Sequence, residues 1–243
     1  MNGNQRITAA VLLLMMLLGG CSESPTGTGG KDTESIPYSE DATLIALYLT
    51  DQLTAPDSLY HVVANDLHDI ISRYGSEHEK LSGIHFRFPW INDQLIIGFD
   101  GETYSRVKDG TYDEWDALNA AYGAHDMKYY YNYVVVSFDS LVHMTHLAGL
   151  YRGLAGVSYI SRNRWDGSPT NIYPKLVGDD ITYLFIDAWG SECITGICDI
   201  EYWYFVKEAG GHELFGYWPR YVDPDEPQWW EQASRNMTDW AAL

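Results

Sequence analysis

From residue 39 onward the apolar positions recur first with a helical period, then with a strand period, and the two keep alternating. Leu59, Val63, Leu67, Ile70, Ile71 and Tyr74 step by three and four ahead of Gly75, which predicts an amphipathic helix. Thr54-Ala-Pro-Asp57 has the spacing of a capping box for it, with proline in the first turn where its missing N–H is harmless. Ser39 is a suitable N-cap for a shorter helix through Ala42 to Leu49. The period then changes. Ile84, Phe86 and Phe88 alternate with His85, Arg87 and Pro89, and Gln94 to Phe99 is a second β-like run, so two strands are predicted. Thr111-Tyr-Asp-Glu114 repeats the capping pattern before Trp115, Leu118 and Tyr122, with Gly123 as the stop. Tyr129 to Phe138 is aromatic and β-branched, either one long strand or a tight pair, and Val134-Val-Val136 predicts burial on both faces. Asp139 or Ser140 can cap a third helix carrying Leu147, Leu150, Tyr151 and Leu154, ended by Gly156 before a strand over Val157 to Ile160.

This order of elements predicts an α+β fold: a ferredoxin-like or related mixed sheet with right-handed crossovers and helices on one face, followed by a β-rich C-terminal part. The later strands are Ile181 to Ala188, Asp199 to Lys207 and His212 to Trp218, with Gly210-Gly211 turning between the last two. Glu226-Pro-Gln-Trp-Trp-Glu231 begins a short helix or docked tail, and at least one of its tryptophans should pack on the sheet. Residues 39–165 thus form an α+β part and 166–243 a β-rich part packed on it, as one globular unit. Val134-Val-Val-Ser-Phe138, the helix after it and Leu154-Ala-Gly-Val-Ser-Tyr-Ile160 resemble the second half of the subtilisin-type propeptide and inhibitor fold. Val177-Gly-Asp-Asp-Ile-Thr-Tyr-Leu-Phe185, the Cys193 to Cys198 turn and Tyr202-Trp-Tyr-Phe205 resemble a group of uncharacterised secreted bacterial proteins, although Asp180 stands where that pattern has a glycine. The second resemblance implies a secreted domain and no particular chemistry.

The N-terminus carries an address. Arg6 precedes an apolar run from Ala9 to Leu18, about half the roughly 20 residues that a membrane span needs. Leu18-Gly19-Gly20-Cys21 follows and resembles the lipobox of bacterial lipoproteins. That resemblance implies a signal peptide over residues 1–20, lipidation of Cys21, and a membrane partnership made through the lipid. Two or more acyl chains anchor stably where one binds only marginally. Ser22 and Glu23 place no aspartate directly after the cysteine, which points to the outer membrane or cell surface rather than the inner membrane. Residues 21–38 read as the lipidated cysteine and a Gly/Ser/Thr/Pro-rich tether with little to bury.

Lys and Arg number 15 against 34 Asp and Glu, a formal charge of −19, and losing Arg6 with the leader makes the chain more acidic still. Such a field repels phosphate backbones, so no nucleic-acid partner is expected. With Cys21 lipidated, Cys193 and Cys198 remain as an even pair for an oxidising compartment and are expected to form a local disulfide. A loop this short constrains the unfolded chain by about 2 kcal/mol on the entropic model.

Candidate chemistry is sparse. His143 and His146 stand one helical turn apart but need further ligands to hold zinc, and no H-E-x-x-H pattern occurs. His61 and His68 share a helix face about 10 Å apart, too far for one ion. Asp179-Asp180 and Asp223-Pro-Asp-Glu226 are acidic turns without the alternating acids and glycine of a calcium loop. Neither a G-x-S-x-G elbow nor a phosphate cradle is present, so no catalytic residue, metal or cofactor is assigned. Aromatic residues are the remaining excess. Tyr202, Trp203, Tyr204, Tyr217 and Trp218 lie on predicted strands where alternate side chains face outward, and they form the candidate binding face, with Trp203 or Trp218 expected in solvent. The function expected from the sequence is noncovalent binding of an envelope ligand or protein by a lipid-anchored domain. A protease inhibitor or propeptide-like chaperone acting in trans, and a hydrolase with an unrecognised carboxylate site, are the alternatives.

Overall fold

The first sheet is built by a β-α-β-β-α-β path. In a computed structural model that describes residues 39–88, 90–164, 170–189 and 199–238, helices α1 (Ser39–Thr50) and α2 (Asp57–Tyr74) and a 3₁₀ turn (Glu79–Gly83) precede this path. Strand β1 (Trp90–Phe99) is followed by α3 (Gly101–Lys108) and α4 (Asp116–Tyr122), then by β2 (Ala124–Tyr129) and β3 (Tyr133–Phe138), α5 (Met144–Arg152) and β4 (Val157–Arg164). The order is β2-β3-β1-β4, and β1 pairs antiparallel with both β3 and β4 while β3 pairs antiparallel with β2. This is the ferredoxin-like arrangement. The sheet is not mixed as expected, because each crossover skips one position and strands that run parallel are never neighbours. Tyr129 to Phe138 resolves into a hairpin rather than one strand. Val134, Val136 and Phe138 face the core beside Leu95, Ile97 and Phe99, whereas Val135 is only half-buried, so the valine run is buried on one face and not on two.

The second sheet is a four-stranded antiparallel meander of β5 (Asn171–Val177), β6 (Asp180–Trp189), β7 (Asp199–Glu208) and β8 (Gly211–Pro219), with α6 (Trp230–Thr238) after it. Pro174 sits in β5 at the sheet edge, where its missing N–H interrupts no inner ladder. One face of this sheet, through Ile172, Ile181, Tyr183, Phe185, Trp203 and Phe205, joins the apolar core that also contains α1, α2 and the inner face of the first sheet. The other face holds Leu184, Ile186, Tyr202, Tyr204 and Trp218 under α6, whose Ala233 is fully buried against them. The described residues all fall within one compact unit. The leader, the tether with Cys21, and Cys193 and Cys198 lie outside the described residues.

The predicted strand over Ile84 to Phe88 is replaced by an extended segment that belongs to neither sheet among the described residues. Ile84, Phe86 and Phe88 are buried and His85 and Arg87 exposed, as a strand would have them. Side chains meet the backbone of Phe86 and Arg87. Asp41 accepts from the Phe86 N–H at 2.8 Å, and Asn171 accepts from the Arg87 N–H at 2.8 Å and donates to the Arg87 carbonyl at 3.0 Å. Helix starts also differ from the capping patterns. Helix α2 begins at Asp57 behind Pro56 with no side-chain cap, and α5 begins at Met144 behind His143, not at Asp139 or Ser140. Helix α3 was not predicted; Asp100 caps it by accepting from the Thr103 N–H at 2.8 Å.

Asp41 is 4% exposed and accepts from His85 Nδ1 at 2.8 Å as well as from Phe86. Burial raises its carboxyl above the ordinary value of 3.8, against the opposing pull of His85 and the Phe86 N–H. A folded pKa above the unfolded one means that the stabilisation from protonated Asp41 is complete below 3.8 and is lost as pH rises through the higher folded value. Asn at position 41 keeps an oxygen for the Phe86 N–H and does not titrate. Asp41→Asn is therefore expected to gain stability relative to the natural chain as pH rises from about 4 to about 7. Urea midpoints at the two ends of that range check this, and a difference that stays flat with pH contradicts it.

Candidate functional site

The aromatic face named from the sequence is interior. Trp203 is 1% exposed and Trp218 3%, and Tyr202 and Tyr204 are equally buried. The expectation assumed a sheet with one wet face, whereas this sheet is covered on both. Trp203 turns toward α2 and the 3₁₀ turn, with its ring 6.0 Å from that of His78. Tyr202, Tyr204 and Trp218 lie under the Trp229-Trp230 pair: Tyr204 and Trp229 are parallel within 8°, and Trp230 stands 4.6 Å from Tyr202 and 5.2 Å from Trp218. Both adjacent tryptophans thus pack on the sheet, as one at least was expected to. Gly216 makes room for this, since a Cβ there would come within 2.2 Å of the Trp229 ring. Of the five residues only Tyr217 keeps substantial exposure, and its ring stacks on Trp203.

Exposed aromatics lie instead on the solvent face of the first sheet. Gly98 of β1 is registered against Tyr133 of β3 on one side and Tyr159 of β4 on the other. The Tyr159 ring covers the glycine so closely that a Cβ at position 98 would lie 2.0 Å from it. Tyr130 continues the row, stacked on Tyr133 with centroids 4.7 Å apart and planes 13° from parallel. Tyr130 and Tyr159 are exposed, and Tyr131 at the hairpin tip is 95% exposed. The tip is held by the Tyr130 N–H to the Tyr133 carbonyl at 2.9 Å and by the Tyr104 hydroxyl, which donates to the Tyr130 carbonyl. The result is a tyrosine ledge over three strands, with Tyr159 laid across Gly98 and Tyr130 stacked on Tyr133. Its sequence signal was the Tyr129 to Tyr133 run, which reads as strand core until the hairpin places alternate rings outside.

At the other face of the same hairpin, Tyr129 and Met127 border a cleft of about 430 Å³ floored by Tyr112 and Trp115. Tyr112, Trp115 and Phe99 pack edge to face at 5.5 to 5.9 Å and make the floor rigid. The Tyr112 hydroxyl donates to the Ala155 carbonyl at 2.6 Å, and burial pushes its pKa up to about 12. Asn119 accepts from Tyr151 at 2.7 Å. The polar groups at the rim are Thr111, Asp113 and Asp116, all exposed.

Two clusters of charged or metal-ligating groups stand apart from the aromatics. Asp187 and Glu201 face each other on adjacent strands, and Lys80 lies 3.7 Å from the first and 2.8 Å from the second. Lys80 also sits 3.3 Å above the Trp189 ring, and Tyr221 donates to Glu201 at 3.0 Å. These acids are neighbours neutralised by a lysine, not a pair opposed across a cleft as glycoside hydrolysis requires. In the second cluster, Asp51 joins His143 and His146, with one ligand atom from each lying within 4.8 Å of the others. The two histidines are brought together with a carboxylate that no sequence spacing pointed to. His61 and His68 are exposed on α2, and among the described residues the acidic turns at Asp179-Asp180 and Asp223 to Glu226 belong to no such set. No helix of the described residues is long and apolar enough to cross a membrane.

Compared with known proteins, the chain matches no family model, no curated protein and no solved structure.

The interior position of the C-terminal aromatics has a direct consequence. Trp218→Ala should cost about 3–5 kcal/mol, as large buried aromatics do, whereas Tyr217→Ala, half in solvent, should cost distinctly less. Denaturant titration of both variants checks this. Near-equal, small losses would return Trp218 to the surface.

Proposed function

We propose that this chain is a lipid-anchored cell-envelope domain that binds a neutral polysaccharide noncovalently, with Tyr130, Tyr133 and Tyr159 as the platform. The observation that carries the reading is the tyrosine ledge. Tyrosine rings bearing hydroxyls offer apolar area to the C–H faces of sugar rings and hydrogen bonds to their edges, at little cost in side-chain entropy. Gly98 lowers the centre of the ledge so that Tyr159 lies flat on the sheet. The formal charge of −19 argues against phosphorylated or otherwise anionic polymers. Cys21, freed as the first residue by cleavage of the leader and acylated, supplies the membrane partnership, and Ser22 in place of an aspartate directly after it favours the outer membrane or cell surface as the location.

Both halves are testable. Cys21→Ser is expected to abolish incorporation of labelled fatty acid and to move the protein from the membrane to the soluble fraction of fractionated cells. Retention in the membrane with no label would sink the anchor. For the ledge, titration of the full chain with hexaoses of glucose, xylose and N-acetylglucosamine should reveal binding to at least one of them, followed by intrinsic fluorescence. Tyr159→Ala should weaken that binding about tenfold or more, equivalent to about 1.4 kcal/mol. Binding that survives Tyr159→Ala but is lost in Tyr129→Ala would move the site into the cleft, and no binding by any of the sugars would overturn the polysaccharide reading.

A further inference from the structure

We propose that Asp51, His143 and His146 bind one divalent transition-metal ion, with zinc as the representative. The three come from two elements that the fold ties together. Asp51 is the residue after α1, and its N–H closes that helix on the Leu47 carbonyl at 3.0 Å. Among the described residues it alone, glycines aside, has a positive φ, at 49°, a conformation that aspartate tolerates better than most residues. His143 is the N-cap of α5, and its own N–H donates to the Leu53 carbonyl at 3.0 Å. That bond fixes the turn carrying Asp51 against the start of α5. His146 stands three residues on, with its ring 4.8 Å from the ring of His143.

The donor atoms converge. Asp51 Oδ1 lies 3.0 Å from His146 Nε2 and 3.6 Å from His143 Nε2. An ion at zinc's usual bond lengths of about 2.0–2.2 Å holds its ligand atoms about 3.3–3.6 Å apart, so the 3.6 Å separation suits it and the 3.0 Å one needs to open by a few tenths of an ångström. Two imidazoles and one carboxylate select zinc and its neighbours over calcium or magnesium, which take oxygen ligands. His143 is 2% exposed with Phe88 against it, so one side of the site is dry and shaped. The Asp51 side chain is 75% exposed and that of His146 40%, so the opposite side is open to water or a further ligand. Three protein ligands with an open position is the pattern of an accessible site, not of a sealed structural one. Arg162, whose Nη1 donates to Thr145 Oγ1 at 2.8 Å, is the nearby cation that the ion must coexist with.

The test uses the full chain in detergent, stripped with a chelator and dialysed against zinc, with bound metal measured by elemental analysis. One equivalent of zinc per chain is expected, and cobalt in its place should give the visible absorption of a low-symmetry site with nitrogen ligands. Asp51→Ala combined with His146→Ala removes two partly or largely exposed side chains and should lower zinc affinity at least tenfold while circular dichroism stays unchanged. His125→Ala, at a surface histidine 3.2 Å from Asp139, should leave binding as it was. Failure to retain about one zinc, or retention undiminished in the double variant, would overturn the proposal. The latter result would place any bound metal elsewhere in the chain.

Discussion

The buried carboxylate of Asp66 fixes how the helical layer sits on the C-terminal sheet. Taking a carboxylate out of water costs several kcal/mol unless it is met by well-placed partners, and the partners here come from three strands. Lys207 of β7 reaches it at 2.6 Å, the Tyr183 hydroxyl of β6 donates to it at 3.2 Å, and His212 of β8 stands 3.5 Å away. Burial and the adjacent carboxylate hold the Tyr183 hydroxyl well above its ordinary pKa, so it remains a donor. One turn further along α2, Asp69 accepts from the His212 N–H at 2.9 Å while Arg73 reaches the His212 carbonyl at 2.6 Å and Glu213 at 2.7 Å. Sliding α2 by one turn would break all of these at once. The polar pattern therefore sets a register that Val63, Ala64, Leu67 and Ile70, being merely apolar, would tolerate in several places.

That register decides which surfaces stay wet. With α1 and α2 on one face of the second sheet and α6 on the other, Tyr202, Trp203, Tyr204 and Trp218 have no outlet to solvent. The first sheet is treated differently. Its inner face shares the same core, through Leu95, Ile97, Val134 and Val136, while its outer face carries tyrosines instead of a covering helix. A ferredoxin-like path puts the crossover helices on one side only, so the opposite side is left for recognition or for nothing. Beside the exposed Asp126 and Lys128 pair of β2, that side carries tyrosines, with the Tyr159 ring laid over Gly98.

Much of the architecture was legible from periodicity. Helix α2, the three β-rich C-terminal strands and the Gly210-Gly211 region came through because their apolar positions repeat over many residues. Gly123 was read as a helix stop and has the left-handed φ of 68° that favours glycine there. Errors arose where a local pattern had two physical solutions. Ile84 to Phe88 alternates as a strand should, but Asp41 and Asn171, distant in sequence, take the backbone bonds of Phe86 and Arg87. Helix α3 buries only Thr103 and Val107, too few apolar positions to register as a stripe, although the Asp100 cap was there to be read. Strand β5 was hidden by Pro174, which only an edge position allows. The binding face was misplaced because strand alternation reveals which residues share a face, not whether a later helix closes over it.

His143 and His146 stand out in the sequence as a pair, but Asp51 as their partner was illegible for a different reason: the local choices there run against the preferences of helix ends. An acid after the last turn of α1 meets the negative end of that helix, which has no basic residue in its final turn. A histidine at the N-cap of α5 makes no capping hydrogen bond to it. Taken singly, each is a small cost without evident return. Taken together they are consistent, because burial, helped by the charge of His146, pushes the His143 pKa down, and the positive end of α5 acts in the same direction, so the ring keeps the lone pair that a ligand needs. Meanwhile the carboxylate and the carbonyl end of α1 concentrate negative potential beside it. Several local preferences set aside at one place are what the proposed site accounts for together.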